Sequence, residues 1–154
     1  MQNIVWSCKP FQRLSLNELY DALKLRSEVF VVEQTCIYPD LDNKDLVDNA
    51  HHLLAYKGTN LVAYARLLPP SISYDNVSFG RVVVDEKYRS LGLGRSLMKN
   101  ILMHCNKLWP NQDIDIGAQK YLRAFYASFG FEVVSNIYLE DGIEHIDMRL
   151  SYKH

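Results

Sequence analysis

A valine-rich strand that runs through a charged segment into a glycine-broken loop, and then into an amphipathic helix, most constrains how this chain folds. Val82-Val83-Val84 leads to Arg89-Ser90-Leu91-Gly92-Leu93-Gly94, after which Leu93, Leu97, Met98, Ile101, Leu102 and Cys105 fall at helical spacing with Lys99, Asn100 and Lys107 elsewhere. Such a helix packs one face on a sheet. Glycines let a backbone approach a ligand closely, and the free N–H groups and dipole at a helix start favour anions. The layout therefore suits a pyrophosphate, although on spacing alone the glycines can equally be making a plain turn. Two other phosphate loops fit poorly. A P-loop needs Gly-Lys-Ser/Thr, whereas Arg95 follows Gly94; a dinucleotide fingerprint needs its first glycine directly after the strand and a third glycine where Leu97 stands, whereas seven residues separate Val84 from Gly92. The second mismatch also disfavours a nicotinamide-binding fragment.

At 154 residues with 48% hydrophobic letters, the chain is long enough for one well-filled core, so one domain over 1–154 is expected. A formal charge of −1 argues against a general nucleic-acid or anionic-membrane binder. No apolar run approaches the roughly 20 residues of a membrane helix, and the basic-then-apolar pattern of a signal peptide is lacking. Cys8, Cys36 and Cys105 are odd in number and widely spaced, which indicates neither a disulfide framework nor a zinc knuckle and suits a reducing cytoplasm.

In chain order, residues 3–8 read as a short strand ended by Lys9-Pro10. Ser15 and Glu18 form a capping-box pattern that starts a helix from about Leu16 to Phe30. Between Pro39 and His51, Asp40, Asp42, Asp45 and Asp48 face one Lys44; this fails as a calcium loop and reads as a solvated acidic loop or, more sharply, as an acidic rim that attracts a cationic acceptor. His52–Tyr56 and Leu61–Leu68 flank Lys57-Gly58-Thr59-Asn60 as a hairpin, and a strand follows over Val77–Val84. Ile114–Ala118 is a strand parallel to it, because a helix connects them. Leu122, Phe125, Tyr126 and Phe129 share one helical stripe that ends at Gly130, and a closing hairpin turns at Asp141-Gly142. The sum is a mixed α/β sheet with helices on both faces.

Arg-x-x-Gly-x-Gly after a valine-rich strand resembles the acetyl-CoA motif of the GNAT N-acetyltransferases. Val29-Phe30-Val31-Val32-Glu33-Gln34, Ala63-Tyr64-Ala65-Arg66, Gly80-Arg81-Val82, Phe125-Tyr126-x-x-Phe129-Gly130-Phe131 and Tyr138-Leu139-Glu140-Asp141-Gly142-Ile143 are similar to the ElaA-like branch of that family. The resemblance implies that the strands near 79–84 and 113–118 splay apart and take a pantetheine arm between them. It implies that backbone groups of Val82, Val83 and Val84 grip the thioester arm and that Arg89, Ser90, Leu91, Gly92, Leu93, Gly94 and Arg95 hold the pyrophosphate. Gln119 stands where many relatives have an Asn that bonds the pantetheine, and Phe125 falls in the same cofactor block. Tyr126, four residues before Gly130-Phe131, takes the position of the general acid, although its apolar stripe by itself reads as core.

The base is less clear. A lysine-like amine is neutral in about one molecule in two thousand at pH 7, so a proton must be tolerated or removed. Some relatives use a Glu early on the central strand, where this chain has Ser78. The remaining candidates are Glu33, His52, Glu140 and His145, with Glu33 alternatively paired to Arg26 or Arg66 and the others plain strand flanks. Glu33 is carried as catalytic beside Tyr126, and Glu33, Gln34, His52, Arg66, Glu140 and His145 as acceptor-side residues. No metal is expected, since His51 and His52 point to opposite faces of a strand and His104, Cys105 and His145 lack ligand spacing. The leading expectation is direct transfer of acetyl from acetyl-CoA to a primary amine without a covalent enzyme intermediate. The alternative, motivated by Ser78, is a non-catalytic acyl-CoA sensor or interaction module. Tyrosine-rich strands would also support edge pairing in a homodimer.

Overall fold

The computed structural model describes residues 3–152. One mixed sheet carries every strand: β1 (Val5–Pro10), β2 (His51–Lys57), β3 (Asn60–Leu68), β4 (Val77–Val84), β5 (Ile114–Gln119), β6 (Glu132–Val133), β7 (Tyr138–Glu140) and β8 (Ile143–Leu150). The spatial order is β1-β2-β3-β4-β5-β8-β6, with β7 also on β8. Helices α1 (Leu16–Arg26), α2 (Leu93–Leu108) and α3 (Arg123–Ala127) cover the two faces. On one face Leu93, Leu97, Met98 and Ile101 of α2 and Tyr126 of α3 pack on Ala63, Ala65, Leu67, Val77 and Ile116. On the other, Ala22 and Leu25 of α1 pack on Leu54, Tyr64 and Val83. The eight residues from Leu61 to Leu68 are all buried, as a strand covered on both faces requires. Among the described residues no helix is long and apolar enough to cross a membrane.

The expected elements form, with instructive differences at their ends. β1 runs through Pro10 rather than stopping before it, which an edge strand tolerates because its outer side needs no N–H donor. Ser15 and Glu18 make the reciprocal capping box. Helix α1 then widens over Ser27–Glu33 into a π-helical segment, with Gln34 N–H reaching Val29 O at 3.0 Å. The sequence reading ends a helix near Phe30, inside this segment. Such wide turns often occur at functional sites. The α3 stripe is a short helix closed by two nested bonds, Phe131 N–H to Tyr126 O at 3.3 Å and Gly130 N–H to Ala127 O at 2.9 Å, which puts Gly130 at the expected C′ position. Asp141 (φ 51°) and Gly142 (φ 78°) make the closing hairpin turn. The short β6 was not anticipated, since two residues give no readable alternation.

Two features open the sheet. The first lies between β4 and β5, which pair in parallel only at Val77–Ile114 and Ser78–Asp115 before diverging. Beyond that point β5 is held along its whole length by β8 instead. The second is a bulge: Tyr64 faces Val83 and Arg66 faces Gly80, so Arg81 and Val82 together oppose Ala65, and Arg81 takes φ 51°. The extra residue bends β4 away from its parallel neighbour.

Candidate active site

The divergence leaves a groove of about 480 Å³ whose walls include Gly80, Arg81 and Val82 from β4, Gly117, Ala118 and Gln119 from β5, and Tyr126 from α3. Beyond Ser78 the edge of β4 that faces this groove has no strand partner. Backbone N–H and C=O groups on an open edge are strong hydrogen-bonding groups in need of a partner, which is what an extended chain of amides supplies. Val82 lines the groove, whereas the side chain of Val83 is buried against α1 and Val84 O accepts a bond from Arg89 Nε at 3.0 Å.

At the end of β4 a 3-10 segment, Glu86–Leu91, leads to Gly92 at φ +71° and directly into α2. No side chain caps this helix, so the N–H groups of its first turn are open to an anion. The phenyl ring of Phe125 approaches Gly94 and packs edge-on against Tyr126, so α3 braces the loop. Ser90 and Leu91 are exposed. The two arginine side chains are engaged elsewhere. Arg89 grips both oxygens of Glu33 at 2.7 and 2.9 Å, while Arg95 lies 4.5 Å from the centre of the Phe129 ring and donates to Ser128 Oγ. Backbone donors, rather than guanidinium groups, are what this loop presents.

Tyr126 is 6% exposed and is held among Phe79, Phe125 and Phe131. No hydrogen-bond partner for its hydroxyl is found among the described residues, and the ring lines the groove. Burial, aided by Tyr121, pushes its pKa up to about 12. The hydroxyl is therefore a proton donor throughout the neutral range.

Asp48 is exposed, as a solvated loop would have it, but the rest of the acidic segment fits neither expected alternative. Asp40, Asp42 and Asp45 turn inward to three arginines from distant elements. Arg26 bonds Asp40 at 2.9 Å and Asp45 at 2.8 Å; Arg66 bonds both oxygens of Asp42 at 2.8 and 2.9 Å and reaches Asp45 at 3.2 Å; Arg81 reaches Asp40 at 2.8 Å. Arg26 and Arg66 are almost fully buried. Three charges of each sign cancel, so these aspartates present no acidic rim. Burial pushes the Asp42 carboxyl up, but the bonds and charge of Arg66 outweigh it and hold its pKa at about 2. Sequence reading missed Arg26 and Arg81 as network members. The available signal was an arginine such as Arg66 inside a wholly apolar strand, which needs a buried partner.

The base candidates separate cleanly by position. Glu33 does not line the groove; it sits outside it, paired with Arg89 rather than Arg26 or Arg66, and those bonds hold its carboxyl below the ordinary range. His52 is buried and both ring nitrogens are used: Nε2 donates to Asp45 O at 3.1 Å and Nδ1 accepts from the Tyr64 hydroxyl at 2.6 Å. Burial lowers its pKa, and it stays neutral inside the arginine–aspartate assembly. Neither residue lines the groove. His145 and Glu140 do line the groove, with Gln34 and Gln119 beside them at 3.3 Å from each other. His145 Nδ1 is 2.8 Å from Ile143 O. A carbonyl only accepts, so in the neutral ring Nδ1 carries the proton and Nε2 the lone pair. That lone pair lies 3.5 Å from Glu140 Oε2.

Comparison with known proteins agrees with this geometry. A sequence profile of the acetyltransferase (GNAT) domain matches residues 23–152. Protein ElaA of Escherichia coli is 44% identical over 145 residues, which cover 94% of this chain and 95% of that protein. The crystal structure of E. coli ElaA superposes with a TM-score of 0.90 at 43% identity, covering 96% of this chain and 99% of the other. That of an acyl-CoA N-acyltransferase from Pseudomonas aeruginosa gives 0.93 at 44% identity, covering 97% and 100%. With the splayed β4–β5 pair, the bulge and the open start of α2 all in place, this chain belongs to the GNAT superfamily of acyltransferases, in its ElaA-like branch.

Proposed function

We propose that the protein transfers an acetyl group from acetyl-CoA to the primary amine of a small acceptor by direct attack, with Tyr126 as general acid and His145, backed by Glu140, as the proton acceptor. The observation that carries this reading is the placement, along the same groove, of a Tyr126 hydroxyl protonated throughout the neutral range and a His145 ring whose Nδ1 is held at the Ile143 carbonyl and whose Nε2 lies 3.5 Å from Glu140 Oε2. The open β4 edge would hold the pantetheine amides, and the first turn of α2 the pyrophosphate, with Phe125 and Gln119 flanking the arm. Bound acetyl-CoA supplies an acyl carbon activated as a thioester. His145 Nε2 takes the proton that the amine must lose, and Glu140 stabilises the resulting imidazolium. Tyr126 gives its proton to the sulfur as the C–S bond breaks and the N–C bond forms. Each such transfer contributes about 10²–10⁴-fold.

Calorimetric titration with acetyl-CoA, followed by thiol release over a panel of amines, tests the reading. Binding with amine-dependent release of coenzyme A is the expected result. Binding without release from any amine would favour the sensor module instead, and absence of binding would remove the basis for both.

A further inference from the structure

The chain has seven glycines, and the fold itself accounts for most of them. Gly58, Gly92, Gly130 and Gly142 take a left-handed φ that side chains rarely adopt. A Cβ on Gly117 would lie 2.8 Å from the Tyr74 hydroxyl and 2.9 Å from that of Tyr138, so a side chain is excluded there. Two remain. Gly94 sits in the open first turn of α2, and a Cβ on it would make only ordinary contact with Phe125 at 4.0 Å. Gly80 lies inside β4, and a Cβ on it would meet nothing within 4 Å beyond its chain neighbours.

A glycine inside a strand weakens it, and marks either a bulge or the close approach of a ligand. The bulge does not need Gly80. Its left-handed φ of 51° falls on Arg81, whose long side chain is held by Asp40 at 2.8 Å, by Asp42 at 3.3 Å and by the Tyr38 ring, 5.4 Å from the guanidinium carbon. Gly80 has no left-handed φ. What its missing side chain leaves is room in the groove, whose wall it forms and where it is partly exposed.

The sheet fixes the direction of that room. Gly80 pairs with Arg66, and directly opposed residues of an antiparallel ladder project to the same face. Arg66 lies two residues beyond Tyr64, which packs with Ala22 and Leu25 of α1. The room over Gly80 therefore opens on the α1 face, the side of Tyr64 and Arg66. The start of α2 and Phe125, proposed to flank the cofactor, pack on the opposite face.

We infer that Gly80 is a specificity-determining residue, whose absent side chain admits the acceptor amine to the thioester from the α1 face. This assignment rests on the N-acetyltransferase reading of the same groove.

Gly80→Ala and Gly80→Val test it, with calorimetry for acetyl-CoA, thiol release for the best amine of the panel, and thermal melts on the same preparations. Both variants should melt at or above the temperature of the parent, because side chains at an ordinary strand φ reduce the freedom of the unfolded chain. The acetyl-CoA Kd should stay within about twofold. The amine's kcat/KM should fall in Gly80→Ala and by about tenfold or more in Gly80→Val, the scale of a methyl group or two intruding on a pocket. Unchanged kcat/KM in Gly80→Val would overturn the assignment. So would a lower melting temperature in Gly80→Ala, which would make the glycine a requirement of the strand, or a loss of acetyl-CoA affinity that matches the loss of turnover, which would give the room to the cofactor. A parent protein that binds no acetyl-CoA, or releases no thiol with any amine, would instead sink the transferase reading itself.

Discussion

Two bidentate arginine–carboxylate pairs flank the groove, nearly identical in geometry and opposite in consequence. Beside the start of α2 Arg89 holds Glu33 at 2.7 and 2.9 Å, with side chains 41% and 36% exposed. On β3 Arg66 holds Asp42 at 2.8 and 2.9 Å, with side chains 4% and 24% exposed. Water screens the first pair and replaces either partner easily. The second has no such replacement, since losing one partner strands a buried charge. Bond length therefore says little about what a pair does, and surroundings decide it. The start of α2 is an open backbone surface with side chains tied back, while the arginine–aspartate assembly is a buried charged scaffold beside the groove.

The largest expected effect follows from removing the buried partner. Arg66→Met leaves Asp42 and Asp45 short of a cation and should cost about 3–5 kcal/mol in chemical denaturation; a loss under about 1 kcal/mol would show that water reaches the assembly. Next in size is Tyr126→Phe, which should slow turnover by about a hundredfold while leaving acetyl-CoA affinity within about twofold. Full activity in that variant would remove Tyr126 from the chemistry.

Acid pH probes the same contrast more gently. His52 is held below its ordinary value in the folded protein, so the unfolded chain binds its proton first as pH falls. Its contribution is intact above about pH 6.5 and declines below that value. Asp42 is likewise lowered, so its share is intact above about pH 4 and is lost as pH falls towards about 2. Thermal melts should therefore step down twice on acidification, and Arg66→Met should blunt the lower step. A melting temperature flat from pH 7 to pH 3 would contradict both assignments. The smallest effect is expected for Arg89→Ala, which should change stability by no more than about 1 kcal/mol. A larger loss would mean that the Glu33 contact fastens the π-helical segment to the loop before α2.

What could be read in the chain tracks these two regions. The region around the start of α2 is local: strand, loop, glycines and helix follow one another within residues 77–108, so periodicity and turn chemistry locate them. The parallel pairing of β4 and β5, the capping box at Ser15, the Gly130 cap and the Asp141-Gly142 hairpin were legible for the same reason. The aspartates were not. Asp40 and Arg81 are 41 residues apart, and nothing between them reveals that they meet. Solvation is the ordinary fate of an acidic run, and only the position of Arg66 in an apolar strand hinted otherwise.

The base shows the same divide. Glu33, His52, Glu140 and His145 were equivalent as letters, because a side chain's proton chemistry depends on neighbours that the chain order does not contain. Tertiary structure turned Glu33 outward to Arg89, closed both nitrogens of His52 and set His145 beside Glu140 in the groove wall. Sequence by itself determined the elements, the family and the glycine-broken loop that opens α2, since these rest on short-range periodicity and backbone preference. Only the fold decided which charges are buried together, which cancel and which stay free, since electrostatic worth is set by distance and solvent exclusion among residues far apart in the chain.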